Sequence, residues 1–218
     1  MKARASAPGL RAALIGDLVG SRTATDRRAL HRRLSSALAA VQDKVPSIDP
    51  PAILAGDEIQ ASYPTVGEAL HAAFLLRVAL APDTDIRFGI GWGRVEVLDA
   101  EHRTQDGPAW WQARAAIETV AGRAQHPGTR NARFCYRASP DGEGPNEAAL
   151  EAALLCRDHL IGSLDTRSMR ILGGLVAGRS KTEIARAEDI STSAVSQRSQ
   201  RDGLDVIVAA SAMLREVA

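Results

Sequence analysis

The chain has 218 residues, enough for one large domain or for a medium domain followed by a small one. Its 45% hydrophobic and 24% charged content is globular, and a formal net charge of +1 means that only a local patch could attract nucleic acid. Two cysteines and five scattered histidines argue against a zinc site or a disulfide framework, and no apolar run approaches the ~18 residues of a membrane span. With Arg11 and Asp17 interrupting the stretch 10–19, no secretory signal is expected, and the location is read as cytoplasmic.

In chain order, residues 11–17 form a short apolar run ending on an acid, a buried strand. Residues 26–44 place Leu30, Leu34, Leu38 and Val41 at three- and four-residue steps, which predicts an amphipathic helix with Asp26 as N-cap and Pro46 beyond its end. Residues 52–55 and 59–63 read as a hairpin with an acidic tip at Gly56-Asp57. Pro64-Thr65 opens a second helix. Residues 85–98 are strand-like, with three glycines that let a partner approach the backbone or let the strand bend. A third helix runs from Ala109 to Val120, and 132–136 is an edge-strand candidate. This order predicts an α+β sandwich with helices on one face of an antiparallel sheet. After a turn at 141–145 everything reads as helical. The expected organisation is a first domain over 10–138, a linker and connecting helix over 139–164, and a small all-α domain over 165–218.

Lys181 to Arg198 carries the spacing of a helix-turn-helix. Ala185 is the small residue that lets two helices cross, Ile184 and Ile190 anchor them, Val195 points inward, and Ser191 can cap the second helix. The outward face then presents Thr192, Ser193, Ser196, Gln197 and Gln200, with Lys181, Arg198 and Arg201 nearby. Hydroxyls suit phosphates, Gln suits adenine edges, and Arg suits guanine or phosphate, so double-stranded DNA is the expected partner. Residues 165–201 hold seven basic and four acidic residues, a modest positive surplus. Asp189 stands where glycine is common, in a left-handed turn that Asp tolerates. Glu188 stands where an apolar residue is usual, which predicts weaker packing there.

In the first domain, Asp17 and Asp57 end two segments expected to neighbour one another. Two carboxylates converging at strand tips suit a hard divalent cation bridging phosphates. Gly20, Ser21 and Arg22 after the first acid, with Gly56 at the hairpin, are candidates for phosphate contact through turn N–H groups. Trp92, Trp110 and Trp111 are candidates for a base-stacking platform or for core packing.

The segments IGDLVGSR at 15–22, AGDEIQ at 55–60, RFGIGWG at 87–93, DGPAWWQAR at 106–114 and SAVSQR at 193–198 together resemble the SatD family over nearly the whole chain. More distantly, the first two resemble class III nucleotide cyclases and GGDEF diguanylate cyclases. That resemblance implies a ferredoxin-like, cyclase-type palm, a homodimer, Mg²⁺ or Mn²⁺ on Asp17 and Asp57 with a purine nucleotide, and Arg114 near a transition-state arginine. Trp110 replaces the asparagine four residues before that arginine, Ile53 replaces the base-selecting lysine, and Ala55 and Ile59 depart from GGDEF. The expected function is a DNA-binding transcriptional regulator with a divergent, nucleotide-sensing domain. The alternatives are a metal-dependent nucleotidyl cyclase or transferase, and a non-catalytic dimeric adaptor.

Overall fold

The computed structural model describes residues 9–20, 26–54, 57–99 and 104–218. The chain runs β1 (Leu10–Leu18), α1 (Arg27–Gln42), β2 (Asp49–Ile53), β3 (Glu58–Tyr63), α2 (Val66–Leu80) and β4 (Ile86–Arg94). A small hairpin of β5 (Glu96–Asp99) and β6 (Thr104–Asp106) precedes α3 (Pro108–Arg123) and β7 (Phe134–Ala138). Five helices follow: α4 (Glu147–Gly162), α5 (Thr166–Val176), α6 (Lys181–Glu188), α7 (Thr192–Arg201) and α8 (Leu204–Arg215).

The main sheet has the order β2-β3-β1-β4-β7. Its first four strands are antiparallel and arise from a β-α-β-β-α-β succession, the split βαβ arrangement. The fifth, β7, runs parallel to β4, so the sheet is mixed rather than purely antiparallel. Pro50 and Pro51 fall in the edge strand β2, where a missing N–H costs the sheet little.

Alternation along β1 sorts side chains to two faces. Ala12, Leu14 and Leu18 face the core under α1 and α2, while Ala13 and Ile15 face a second core under α3. Helices therefore cover both faces, against the expectation of one. The reason is the glycine spacing in β4. Gly89, Gly91 and Gly93 recur at period two, which leaves one face of the strand without side chains. Ala109, Ala113 and Ala116 of α3 fill that space, and a Cβ on Gly91 would collide with the Ala109 carbonyl oxygen. The strand-like stretch 85–98 also divides at Val95, and β6 had no sequence expectation at all. The edge strand lies two residues later than the expected 132–136.

Residues 139–164, expected as linker and connecting helix, hold a helix docked on the sheet. On α4, Asp158 is fully buried and accepts from the backbone N–H of Arg133 (2.6 Å) and Phe134 (2.8 Å) and from Arg77 Nη1 (2.8 Å). Burial pushes its carboxyl up, and Arg77, Arg157 and the two amides pull it back down. The neighbouring Arg157 lies over the rings of Phe134 and Phe74, at 4.5 and 5.3 Å. The apolar core is continuous from the sheet through Leu154, Ile171, Ile184 and Val195 to Ile207 and Leu214 of α8. This explains why α2 is buried almost all round: it packs on the sheet on one side and on α5 and α8 on the other. Among the described residues, no helix is long and apolar enough to cross a membrane.

Candidate functional site

The polar residues of β1, β3 and β4 that face α3 form a set of closed pairs. Asp17 of β1 lies opposite Glu58 of β3 on one side and Arg87 of β4 on the other. Arg87 Nη2 donates to Asp17 Oδ2 at 2.5 Å. Arg114 of α3 reaches Glu58 through two hydrogen bonds, 2.7 and 2.8 Å, and Gln60 Nε2 adds a third at 2.9 Å. The Arg114 guanidinium holds the Glu58 carboxyl below the usual carboxylate range, against the opposing effect of partial burial. A further chain ties the small hairpin to the sheet. Trp110 Nε1 donates to Gln105 Oε1 (3.2 Å), Gln105 Nε2 donates to Asp49 Oδ1 (2.8 Å), and Arg11 Nη1 and the Ser62 hydroxyl donate to Asp49 Oδ2.

Between these pairs and α3 opens a groove of about 460 Å³, lined by Ile15, Gln60, Gln105, Trp110, Trp111 and Arg114, among others. Trp111 is 59% exposed beside it, with its indole N–H given to Asp106. Trp92 does not join them. It faces the α1/α2 core at 4% exposure, on the other side of the sheet, because strand alternation sends Phe88, Ile90 and Trp92 one way and the glycines the other. The platform expected from Trp92, Trp110 and Trp111 therefore reduces to Trp110 and Trp111.

Asp57 immediately precedes Glu58 and makes no hydrogen bond or ion pair among the described residues. Gly20 sits in a turn with φ +74°. Ser21, Arg22 and Gly56, expected to touch phosphate, lie outside the described residues. Among the described residues, no group of three or more His, Cys, Asp or Glu side chains could hold a metal ion. Asp17 is held by Arg87 and its neighbour Glu58 by Arg114, so a cation on Asp17 and Asp57 would have to displace the Arg87 guanidinium from the first of the two. Sequence reasoning missed Glu58 and Gln60. Their signal was the period-two alternation with buried Ile59 and Ala61, which sends both to the face of Asp17.

The second candidate surface lies on α6 and α7. Ser180 and Glu183 form a capping box at the start of α6, and Asp189 ends it in the left-handed region, at φ 52° and ψ 52°. Ser191 then caps α7, accepting from the Ala194 N–H at 3.1 Å. Ala185 and Val195 are buried between the helices. Glu188, in the usual apolar position, accepts three hydrogen bonds from Arg170 of α5, which hold its carboxyl below the usual range.

The outward face of α7 presents Thr192, Ser193, Ser196, Gln197 and Gln200, all exposed. The cations expected to accompany them are engaged inside the chain. Arg198 binds Asp165 (2.8 Å) and Ser168 (3.0 Å), Lys181 binds Asp205 (2.9 Å), and Arg201 binds Asp202 through two bonds. Arg198 is thus a tie between α7 and the start of α5. Arg179 and Arg186, which the sequence reading passed over, are exposed and make no ion pair among the described residues.

Three solved structures are similar to part of the chain. An adenylate/guanylate cyclase/hydrolase from Silicibacter pomeroyi is 22% identical, over 51% of this chain and 69% of that one, with a TM-score of 0.40. Two structures of a bacterial light-regulated adenylyl cyclase are 12% and 14% identical, each over 58% of this chain and over 74% and 42% of theirs, with TM-scores of 0.46 and 0.45. Among curated proteins nothing matches. The model of the SatD family matches residues 11–216, and the chain belongs to the SatD family.

Proposed function

We propose that this protein is a cytoplasmic DNA-binding transcriptional regulator in which α6 and α7 form a helix-turn-helix and α7 enters the major groove. The observation that carries the reading is the face of α7. Five short polar side chains, Thr192, Ser193, Ser196, Gln197 and Gln200, stand exposed on a helix whose opposite side is locked by Val195. Hydroxyls at the helix start suit phosphate oxygens, and the two glutamines suit base edges. Arg179 and Arg186 supply free positive charge for backbone contact. A homodimer would present two such helices to the half-sites of a palindrome.

Selection of duplexes from a random pool, followed by gel shift, tests this. Enrichment of one motif bound with salt-sensitive affinity supports it; recovery of no preferred duplex and no salt-sensitive binding overturns it.

For the sheet region the proposal is a nucleotide-binding site, with a purine base against Trp110 and Trp111. With Asp17 and Glu58 engaged by arginines and Trp110 in the asparagine position, the groove is read as a sensor rather than a cyclase centre. Thermal melts with ATP, GTP and cyclic nucleotides, with and without Mg²⁺ or Mn²⁺, test it, because a ligand of the folded state raises Tm by mass action. A rise lost on replacing Trp110 supports sensing. A metal-dependent rise lost in Asp57→Asn would instead support the metal-dependent enzyme, and no rise with any nucleotide would leave the non-catalytic adaptor.

A further inference from the structure

Where α2 meets α5 and α8, a groove of about 530 Å³ opens on the side of the molecule away from α3. Its floor is apolar, made by Phe74, Leu75, Leu175 and Val208, and its polar lining is Lys44, His71, Ser211, Arg215 and Glu216. Glu216 is the one carboxylate among these, against two permanent cations and a histidine. A further cation, Arg157, lies buried behind the floor with its guanidinium over the Phe74 ring. Two buried polar atoms of the lining have no hydrogen-bond partner: His71 Nδ1, and the Oγ of Ser211, a residue only 3% exposed. Buried polar groups are ordinarily satisfied, so orphans in a groove wall point to a ligand that satisfies them. Burial lowers the His71 pKa, and Arg215, Arg157 and Lys44 lower it further, in that order, which places three positive charges close enough to act on one imidazole.

From this convergence we infer that the groove between α2 and the α5/α8 pair binds a small organic anion. Its apolar or aromatic body lies on Phe74 and Leu175, and its phosphate or carboxylate head meets Lys44, His71 and Arg215. An anion there relieves the mutual repulsion of the cations, and the apolar floor selects against bare inorganic ions. The inference is independent of the DNA-binding and nucleotide-sensing readings.

Phenyl phosphate and benzoate are the probes, with phenol and inorganic phosphate as controls, titrated into the full chain by calorimetry or NMR. The expected result is saturable binding of one or both aromatic anions, at least tenfold tighter than either control, and weakened at least tenfold in Lys44→Gln/Arg215→Gln. Both replaced side chains are exposed at the rim, and a thermal melt confirms that the variant is folded. Which probe binds tighter distinguishes a phosphate from a carboxylate head. No saturable binding of either anion, or binding unchanged in the double variant, overturns the inference. Ser211→Ala, which removes an orphaned hydroxyl and adds no volume, is expected to weaken binding several-fold; failure of this site leaves the gel-shift result on α7 untouched.

Discussion

The α3 face of the sheet and the outer face of α7 are both polar, but they dispose of their polar groups in opposite ways. On the sheet, each acid is closed by a neighbour: Asp17 by Arg87, Glu58 by Arg114, and Asp49 by Arg11, Ser62 and Gln105. On α7 the hydroxyls and amides stand exposed, while the cations beside them are tied to Asp165, Asp202 and Asp205. A group already paired inside the chain contributes to the fold, and a ligand must displace its partner to use it. An unpaired exposed group contributes little to stability and is free for intermolecular contact. Substitutions in the two regions should therefore fail in different assays.

The largest effects belong to the paired interior. Asp158→Ala leaves Arg77 buried without its partner and strips two backbone N–H groups of an acceptor. Loss of about 3–5 kcal/mol in urea unfolding is expected; a loss below about 1 kcal/mol would show that the network is dispensable. Gly91→Val drives a side chain into the backbone of α3, and should cost about 3 kcal/mol or prevent folding. Retained wild-type stability would contradict the close approach of α3 to β4.

Next in size is the contrast within α7 itself. Arg198→Ala breaks the tie to Asp165 and Ser168 and should lower stability by about 1 kcal/mol, a modest figure because the pair is solvent-screened. Gln197→Ala, one residue away and exposed, should change stability by less than about 0.5 kcal/mol. Its effect should appear in DNA affinity instead, as a loss of about tenfold. If the two substitutions exchanged roles, the assignment of paired and free groups on this helix would be wrong.

The smallest effect is on acid stability. Glu58, Asp165, Glu188 and Asp202 all have carboxyls held below their ordinary range, first by a hydrogen bond from Arg114, from the Ser168 N–H, from Arg170 and from Arg201 respectively. A depressed folded-state pKa stabilises above the unfolded value of about 4, and that contribution is lost as pH falls through the folded-state values. Thermal melts should show Tm falling progressively below about pH 4. The decline should be shallower in Glu188→Gln, which removes one of the titrating groups; an unchanged slope would mean that the Arg170 pair adds nothing to the pH response.

Much of the local structure was legible because its causes are local. Asp26 and Ser191, expected as N-caps, accept from backbone N–H groups three residues on, and Thr65, Asn146, Asp165 and Ser180, not singled out as caps, do the same. The left-handed turn at Asp189 and the inward Val195 follow from the spacing of a few residues. The ion pairs were not legible, because Arg114 and Glu58 are 56 positions apart and Arg198 and Asp165 are 33 apart. Only the fold brings them together, so the tie of Arg198 to Asp165 could not be read from the sequence. The placement of α3 was half legible. Glycines at 89, 91 and 93 announced a close approach, but one strand read alone does not say from which face or by what. The same alternation, followed one step further, would have separated Trp92 from Trp110.

The most direct test of DNA recognition by α7 is the salt dependence of duplex binding by the wild type beside a Gln197→Ala/Gln200→Ala variant. The wild type is expected to prefer its selected duplex over random sequence, with affinity falling steadily as salt rises. The variant should lose that preference while keeping its Tm and its salt slope, since the replaced groups read bases rather than phosphates. A variant that retains the full sequence preference, or a wild type that shows no preference at any salt concentration, would contradict it.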